Sequence, residues 1–143
     1  MIKIVRALML IVILNITSVL AQATFAHEND PVLFAIITAE DWCATCQKLK
    51  PVVEELEYEY YGRVEFVKLD ASSKYALEDA KRVADEKNIG EFFESHKTSL
   101  PTVGIFCPGG KKLEKSFIGE TRKEAYKEAL DVLLFDTPRI CSL

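Results

Sequence analysis

The chain has 143 residues, 49% hydrophobic and 28% charged, with 22 acidic against 18 basic side chains and a formal charge of -4. This length suits one ordinary domain, and the acidic balance gives no electrostatic case for binding nucleic acid. The sequence also contains no Gly-rich phosphate loop, internal repeat or low-complexity segment.

Residues 1–26 read as a secretory signal peptide. Lys3 and Arg6 form a positive start, Ala7 to Leu20 is apolar, and two small-residue cleavage signals follow at Ala21-Gln22-Ala23 and Thr24-Phe25-Ala26. The alternative is an uncleaved membrane anchor, for which a stretch interrupted by Asn15, Thr17 and Ser18 is short. The expected mature domain is therefore 27–143, exported to the periplasm or another extracytoplasmic space. All four cysteines lie in that part, where disulfides can persist.

Val32 to Thr38 is a continuous apolar run rich in β-branched residues, the pattern of a strand buried on both faces. Trp42-Cys43-Ala44-Thr45-Cys46 follows at once, and after it a helix with Leu49, Val52, Val53, Leu56 and Tyr60 on one stripe. Pro51 should kink this helix, and Tyr61-Gly62 ends it. Val64 to Leu69 is a second strand, so the pair forms a parallel βαβ crossover. A helix is predicted over about 73–87, with Ala76, Ala80, Val83 and Ala84 on one side. Thr102 to Cys107, a Pro108-Gly109-Gly110 turn and Leu113 to Ile118 make a β-hairpin. Thr121 and Glu124 read as a capping box for a last helix carrying Tyr126, Ala129, Leu130, Leu133 and Leu134. The predicted order is βαβαββα, an α/β fold with a four-stranded mixed sheet flanked by helices.

Two cysteines separated by two residues at a strand-to-helix junction suit a dithiol that opens and closes a disulfide. Cys43 falls at the helix N-terminus, where free N–H groups and the helix dipole favour a thiolate. Cys46, one turn on, can resolve a mixed disulfide. The pair alone could equally be a structural disulfide or half a zinc site. Zinc normally takes four ligands, and the only histidines are His27 and His96, so no metal site is expected.

With these pieces placed, the mature chain resembles the thioredoxin superfamily over nearly its whole length. The resemblance rests on Trp42 before the first cysteine, Pro51 five residues after the second, Val67-Lys68-Leu69-Asp70, Leu100-Pro101-Thr102 and Gly119. It implies a minimal thioredoxin fold and a thiol–disulfide oxidoreductase, with Cys43 as nucleophile and Cys46 as resolving thiol. Trp42, Leu100 and a cis Pro101 would shape the substrate groove, and Ala44, Thr45 and Lys68 would tune the redox chemistry. The dithiol carries two electrons itself, so no cofactor is needed. Partners would be disulfide-bearing proteins, together with a membrane electron carrier that recharges the dithiol. Trp42 could instead be mere packing, and Pro101 an ordinary trans turn proline.

Three departures from the family pattern stand out. Thioredoxin's extra N-terminal strand and helix have no room before Val32. The buried aspartate that the family places six residues before the first cysteine would fall at Ile37, leaving Lys68 without its partner. An insertion near 90–99 should border the site, with Phe92 and Phe93 anchoring it or forming a substrate patch, and His96 in an exposed loop. Glu40 and Asp41 read as solvated acids that oppose a Cys43 thiolate. With those acids nearby and no cationic neighbour, a reductant is expected, of the kind that serves disulfide repair or cytochrome c maturation. The other class of function is a non-catalytic binding module with a locked Cys43–Cys46 bond; a metal carrier comes third.

In the thioredoxin topology the strand ending at Cys107 runs away from the dithiol, and the last helix returns to the same far end. That would bring Cys141 to Cys107 as a structural disulfide. The alternative is a buried Cys107 thiol with Cys141 free or bonded to a second chain.

Overall fold

The computed structural model describes residues 30–110 and 112–142, so residues 1–26, read above as a signal peptide, lie outside the described residues. Four strands form one sheet in the order β2-β1-β3-β4: β1 (Val32–Thr38), β2 (Val64–Asp70), β3 (Thr102–Phe106) and β4 (Leu113–Ile118). β1 pairs in parallel with β2, and β3 runs antiparallel to both β1 and β4. The helices are α1 (Ala44–Glu59), α2 (Lys74–Glu86), α3 (Gly90–His96), α4 (Lys123–Phe135) and α5 (Thr137–Cys141). The four-stranded mixed sheet flanked by helices is the architecture expected from the sequence.

β1 is apolar throughout because it is buried on both faces. Val32, Phe34 and Ile36 pack with Leu49, Val53 and Leu56 of α1 and with Tyr126, Leu130 and Leu133 of α4. Leu33, Ala35 and Ile37 point the other way, into a second cluster with Ala80 and Ala84 of α2 and Phe92 and Phe93 of α3. Each strand residue therefore serves the layer its parity selects.

Two helices, α3 and α5, are absent from the predicted order, which becomes βαβααββαα. Residues 90–99 are largely α3, and both of its phenylalanines are buried, which makes them anchors. Phe92 reaches β3 at Gly104, where a Cβ would lie 2.7 Å from its ring and from that of Phe106. Only a residue without a side chain fits between those rings. His96 is a half-buried helix residue, not an exposed loop one: its ring stacks on Phe92, and Nδ1 lies 2.8 Å from the Phe92 carbonyl. The turn before β4 uses Gly109 and Gly110 at φ near +75°, and a Cβ on Gly110 would strike the Lys87 carbonyl.

The Thr121–Glu124 capping box does not form. Arg122 is the N-cap of α4 and has no side-chain capping bond. Glu120 instead braces the turn ahead of the helix, its Oε1 accepting from the backbone N–H groups of Thr121 and Arg122 while Oε2 takes the Arg122 guanidinium at 2.6 Å. The Arg122 side chain, then these N–H bonds, hold the Glu120 carboxyl at about 2, well below the usual carboxylate range. A carboxyl depressed in the folded state stabilises above its unfolded pKa of roughly 4.3, and that stabilisation is lost as pH falls towards about 2. Thermal melts of the wild type should therefore lose more stability between those pH values than melts of Glu120→Gln. Parallel curves would show that Glu120 contributes nothing through its charge.

Candidate active site

The site begins where β1 ends. Thr38 closes the strand, and its carbonyl accepts from Ala71 N–H beyond β2 at 2.7 Å. The chain then turns tightly, with the N–H groups of Trp42 and Cys43 both donating to the Ala39 carbonyl, at 3.3 and 2.9 Å. That turn sets Cys43 as the N-cap of α1, in extended backbone, with its Sγ accepting from the Cys46 N–H at 3.1 Å. An unpaired N–H at a helix start is an anion donor, so a thiolate at Cys43 is stabilised at the moment it forms.

Cys43 and Cys46 are bonded to each other, which is the oxidised form of the dithiol. Cys43 is 8% exposed and Cys46 is wholly buried, so a partner can reach only the first sulfur. Leu100 packs on Ala39, Cys43 and Cys46, and the Leu100–Pro101 peptide is cis. The Pro101 carbonyl accepts from Gly119 N–H at 2.8 Å, tying this loop to the end of β4. Trp42 is 63% exposed beside Cys43, its indole Nε1 donating to the Ser72 carbonyl at 3.2 Å. Ala44 is exposed and Thr45 half-buried at the start of α1. Trp42, Cys43, Cys46, Leu100 and Pro101 thus gather in one place.

Three residues sit differently from the sequence-based expectation. Counting back six from Cys43 gives Ile37, but Ile37 faces α2 and α3 on the other side of the sheet. The residue facing α1 is Ile36, which borders a cavity of about 360 Å³ beside Cys46 and Lys68. An isoleucine occupies either position, so the absence of an acid stands. Lys68 does have a partner: its Nζ lies 2.9 Å from Glu57 Oε1 on α1. Glu40 is not simply solvated, because Lys50 binds its Oε2 at 2.8 Å and Gln47 Nε2 donates to its carbonyl at 2.8 Å. The Glu40 carboxylate holds Lys50 above the usual lysine range. No spacing in the sequence advertised this pair.

Cys107 and Cys141 are away from the site and bonded to each other. Thr102, at the start of β3, pairs with Ile37 near the dithiol, whereas Phe106 pairs with Leu33 at the far end, with Cys107 next.

A thioredoxin family model matches residues 16–131. The chain belongs to the thioredoxin family. The CxxC motif of that family is present as Cys43–Cys46. Among curated thioredoxins, thioredoxin C-2 of Corynebacterium nephridii is 41% identical over 61 residues, covering 43% of this chain and 55% of that one. A thioredoxin of Peptoclostridium acidaminophilum is 33% identical over 94 residues, 66% of this chain and 68% of that one. The chain thus spans only about half to two thirds of these two relatives. Two solved structures share the fold at 24% identity. Oxidised mitochondrial thioredoxin 3 of Saccharomyces cerevisiae has a TM-score of 0.51 over 75% of this chain and 82% of its own. The thioredoxin of Trypanosoma brucei brucei has a TM-score of 0.52 over 81% and 86%.

Proposed function

We propose that this thioredoxin-family chain is an exported thiol–disulfide oxidoreductase that works as a reductant of protein disulfides. One observation carries the redox reading: Cys43 caps α1 with its sulfur accepting an N–H, while Cys46 lies fully buried behind it. In the reducing direction the Cys43 thiolate attacks a substrate disulfide and displaces one substrate thiolate. Cys46 then attacks the Cys43 sulfur and displaces the second, and two electrons have passed to the substrate. Leu100, packed against the pair, and the adjoining Pro101 offer the wall along which an extended substrate segment would lie. Trp42 guards the other side.

The direction rests on electrostatics. Beside Cys43 the charges of Glu40 and Lys50 offset one another in an ion pair at 2.8 Å, which leaves the exposed carboxylate of Asp41 and no uncompensated cation there. A thiolate without a cationic partner is less stabilised, which lowers the reduction potential. Export is supported by the sequence of residues 1–26 and by a second disulfide, Cys107–Cys141, remote from the dithiol. An exported reductant must be recharged, and a membrane electron carrier is the proposed source. Disulfide repair and cytochrome c maturation are the proposed destinations.

Two measurements test this. Purified protein should accelerate insulin reduction by a chemical reductant, and its equilibrium potential should lie nearer about -270 mV than about -120 mV. A potential near the second value would overturn the reductant assignment while leaving the oxidoreductase intact. A Cys43–Cys46 bond that resists both insulin turnover and glutathione would favour the non-catalytic module, the reading that Ile36 in place of an acid keeps open.

A further inference from the structure

Resolution of the mixed disulfide has a proton problem. Cys46 is fully buried and must lose its proton to attack. The residue facing it from β1 is Ile36, which can take none. The cavity beside Cys46, about 360 Å³, has room for water at roughly 30 Å³ per molecule. A proton leaving Cys46 by way of that space would meet whichever base borders it.

The charged groups lining the cavity are Glu40 from the turn, Lys50 and Glu54 from α1, and Lys68 from β2. Asp41 is exposed beside Glu40 and does not line the cavity. Lys68 is drawn away to an ion pair with Glu57, eleven residues beyond Cys46 along α1. Lys50 is protonated and cannot accept. Glu54 lies eight residues beyond Cys46, roughly 12 Å along the helix axis. Lys50 is four residues after Cys46, on the same face of α1, and it holds the Glu40 carboxylate at 2.8 Å. Gln47, next to Cys46, fixes the Glu40 backbone.

We propose that Glu40 accepts the Cys46 proton, through water in this cavity, as Cys46 resolves the mixed disulfide. The proposal rests on the dithiol reading above. In the step, the Cys46 S–H bond breaks and its proton passes to the Glu40 carboxylate. The Cys46 sulfur then bonds to the Cys43 sulfur, and the Cys43–substrate S–S bond breaks with its electron pair leaving on the substrate thiolate. In the reverse direction the protonated Glu40 returns the proton to Cys46 as that sulfur is displaced. Lys50 is a positioning residue that keeps the carboxylate over the cavity.

A stopped-flow reaction of the reduced protein with an aromatic disulfide whose released thiolate is coloured separates the two steps. Attack by Cys43 releases one coloured thiolate, and resolution by Cys46 releases the second. Glu40→Gln should not slow the first phase, and should slow the second by at least about tenfold near neutral pH, within the range of general-base effects. Its second-phase rate should rise tenfold per pH unit across the neutral range, while the wild-type rate levels off at lower pH. A charge effect alone would have the opposite sign, because removing a carboxylate near a forming thiolate speeds its formation. Glu54→Gln should match the wild type.

A second phase in Glu40→Gln that is unchanged or faster, with the wild-type pH profile, overturns the proposal. So does equal slowing by Glu54→Gln. If the wild type itself releases only one coloured thiolate, the dithiol reading fails and the proposal with it. Two normal phases that ignore Glu40 sink the proposal alone.

Discussion

Cys46→Ser should accumulate as a covalent mixed disulfide with its substrate, and Cys43→Ser should reduce insulin no faster than the chemical reductant alone. The asymmetry follows from burial and hydrogen bonding, since both residues carry the same thiol. Cys43 is the sulfur a partner can touch and the one that accepts the Cys46 N–H at 3.1 Å. Cys46 has no solvent access, and it reaches only Cys43. Without Cys46 the first exchange still runs, but the adduct has no internal thiol to release it. Without Cys43 the remaining thiol is sealed beneath Leu100 and Ala39. The readouts are a mass increment on non-reducing gels for Cys46→Ser, and a flat turbidity trace for Cys43→Ser. Equal residual activity in the two variants would mean that the roles assigned from burial are wrong.

How much of this was legible in the chain depended on whether a local pattern carried the information. β1 was readable because burial on both faces leaves seven residues apolar with no alternation to misread. The dithiol helix was readable because its stripe runs past Pro51 without losing phase. α3 was not, because seven residues starting with Gly90 give too few turns for a period to show. Its two phenylalanines are adjacent, a spacing that fits no single helical face. They are buried because Gly104, twelve residues after Phe92, leaves room on β3, and that is a fact about the tertiary fold.

The site shows the same division. Cys43, Cys46 and Pro101 sit in short motifs whose spacing holds their meaning. The residue opposite Cys46 had to be found by counting back through a turn and into a strand. Strand side chains alternate, so an error of one residue moves the reading to the other face of the sheet. That is how Ile37 stood in for Ile36. The Thr121–Glu124 pair failed for a related reason. Capping depends on which residue leaves helical geometry first: Arg122, not Thr121, takes the N-cap, and Glu120 holds the turn ahead of it. Ion pairs such as Glu40–Lys50 and Lys68–Glu57 join residues ten and eleven apart and have no sequence signature at all.

Breaking the Cys107–Cys141 bond should be the most destabilising single covalent change in the domain. The bond closes a loop spanning 34 residues of sequence. On the chain-entropy model, a loop of that size stabilises the fold by about 3–4 kcal/mol, a fall in Tm of roughly 10–20 °C for a domain this small. The tail it ties down has few other holds. α5 is five residues long, with no fully buried side chain. Its remaining anchors are the Thr137 hydroxyl on the Leu133 carbonyl at 2.7 Å, Lys112 on the Ile140 carbonyl, and partial packing of Ile140 on the core. Cys141→Ala is the cleaner variant, because it leaves Cys107 as a buried thiol, an ordinary small apolar group in a core. Cys107→Ser would instead bury a hydroxyl and confound the loss of the bond with a polar penalty. The dithiol lies at the other end of β3. Insulin reduction well below the melting range should therefore stay at the wild-type rate while Tm falls. Peptide mapping of the non-reduced protein should recover Cys107 and Cys141 in one fragment. A Tm change of only a degree or two in Cys141→Ala would mean that the tail is held without the bond, and that the loop-closure account does not apply here.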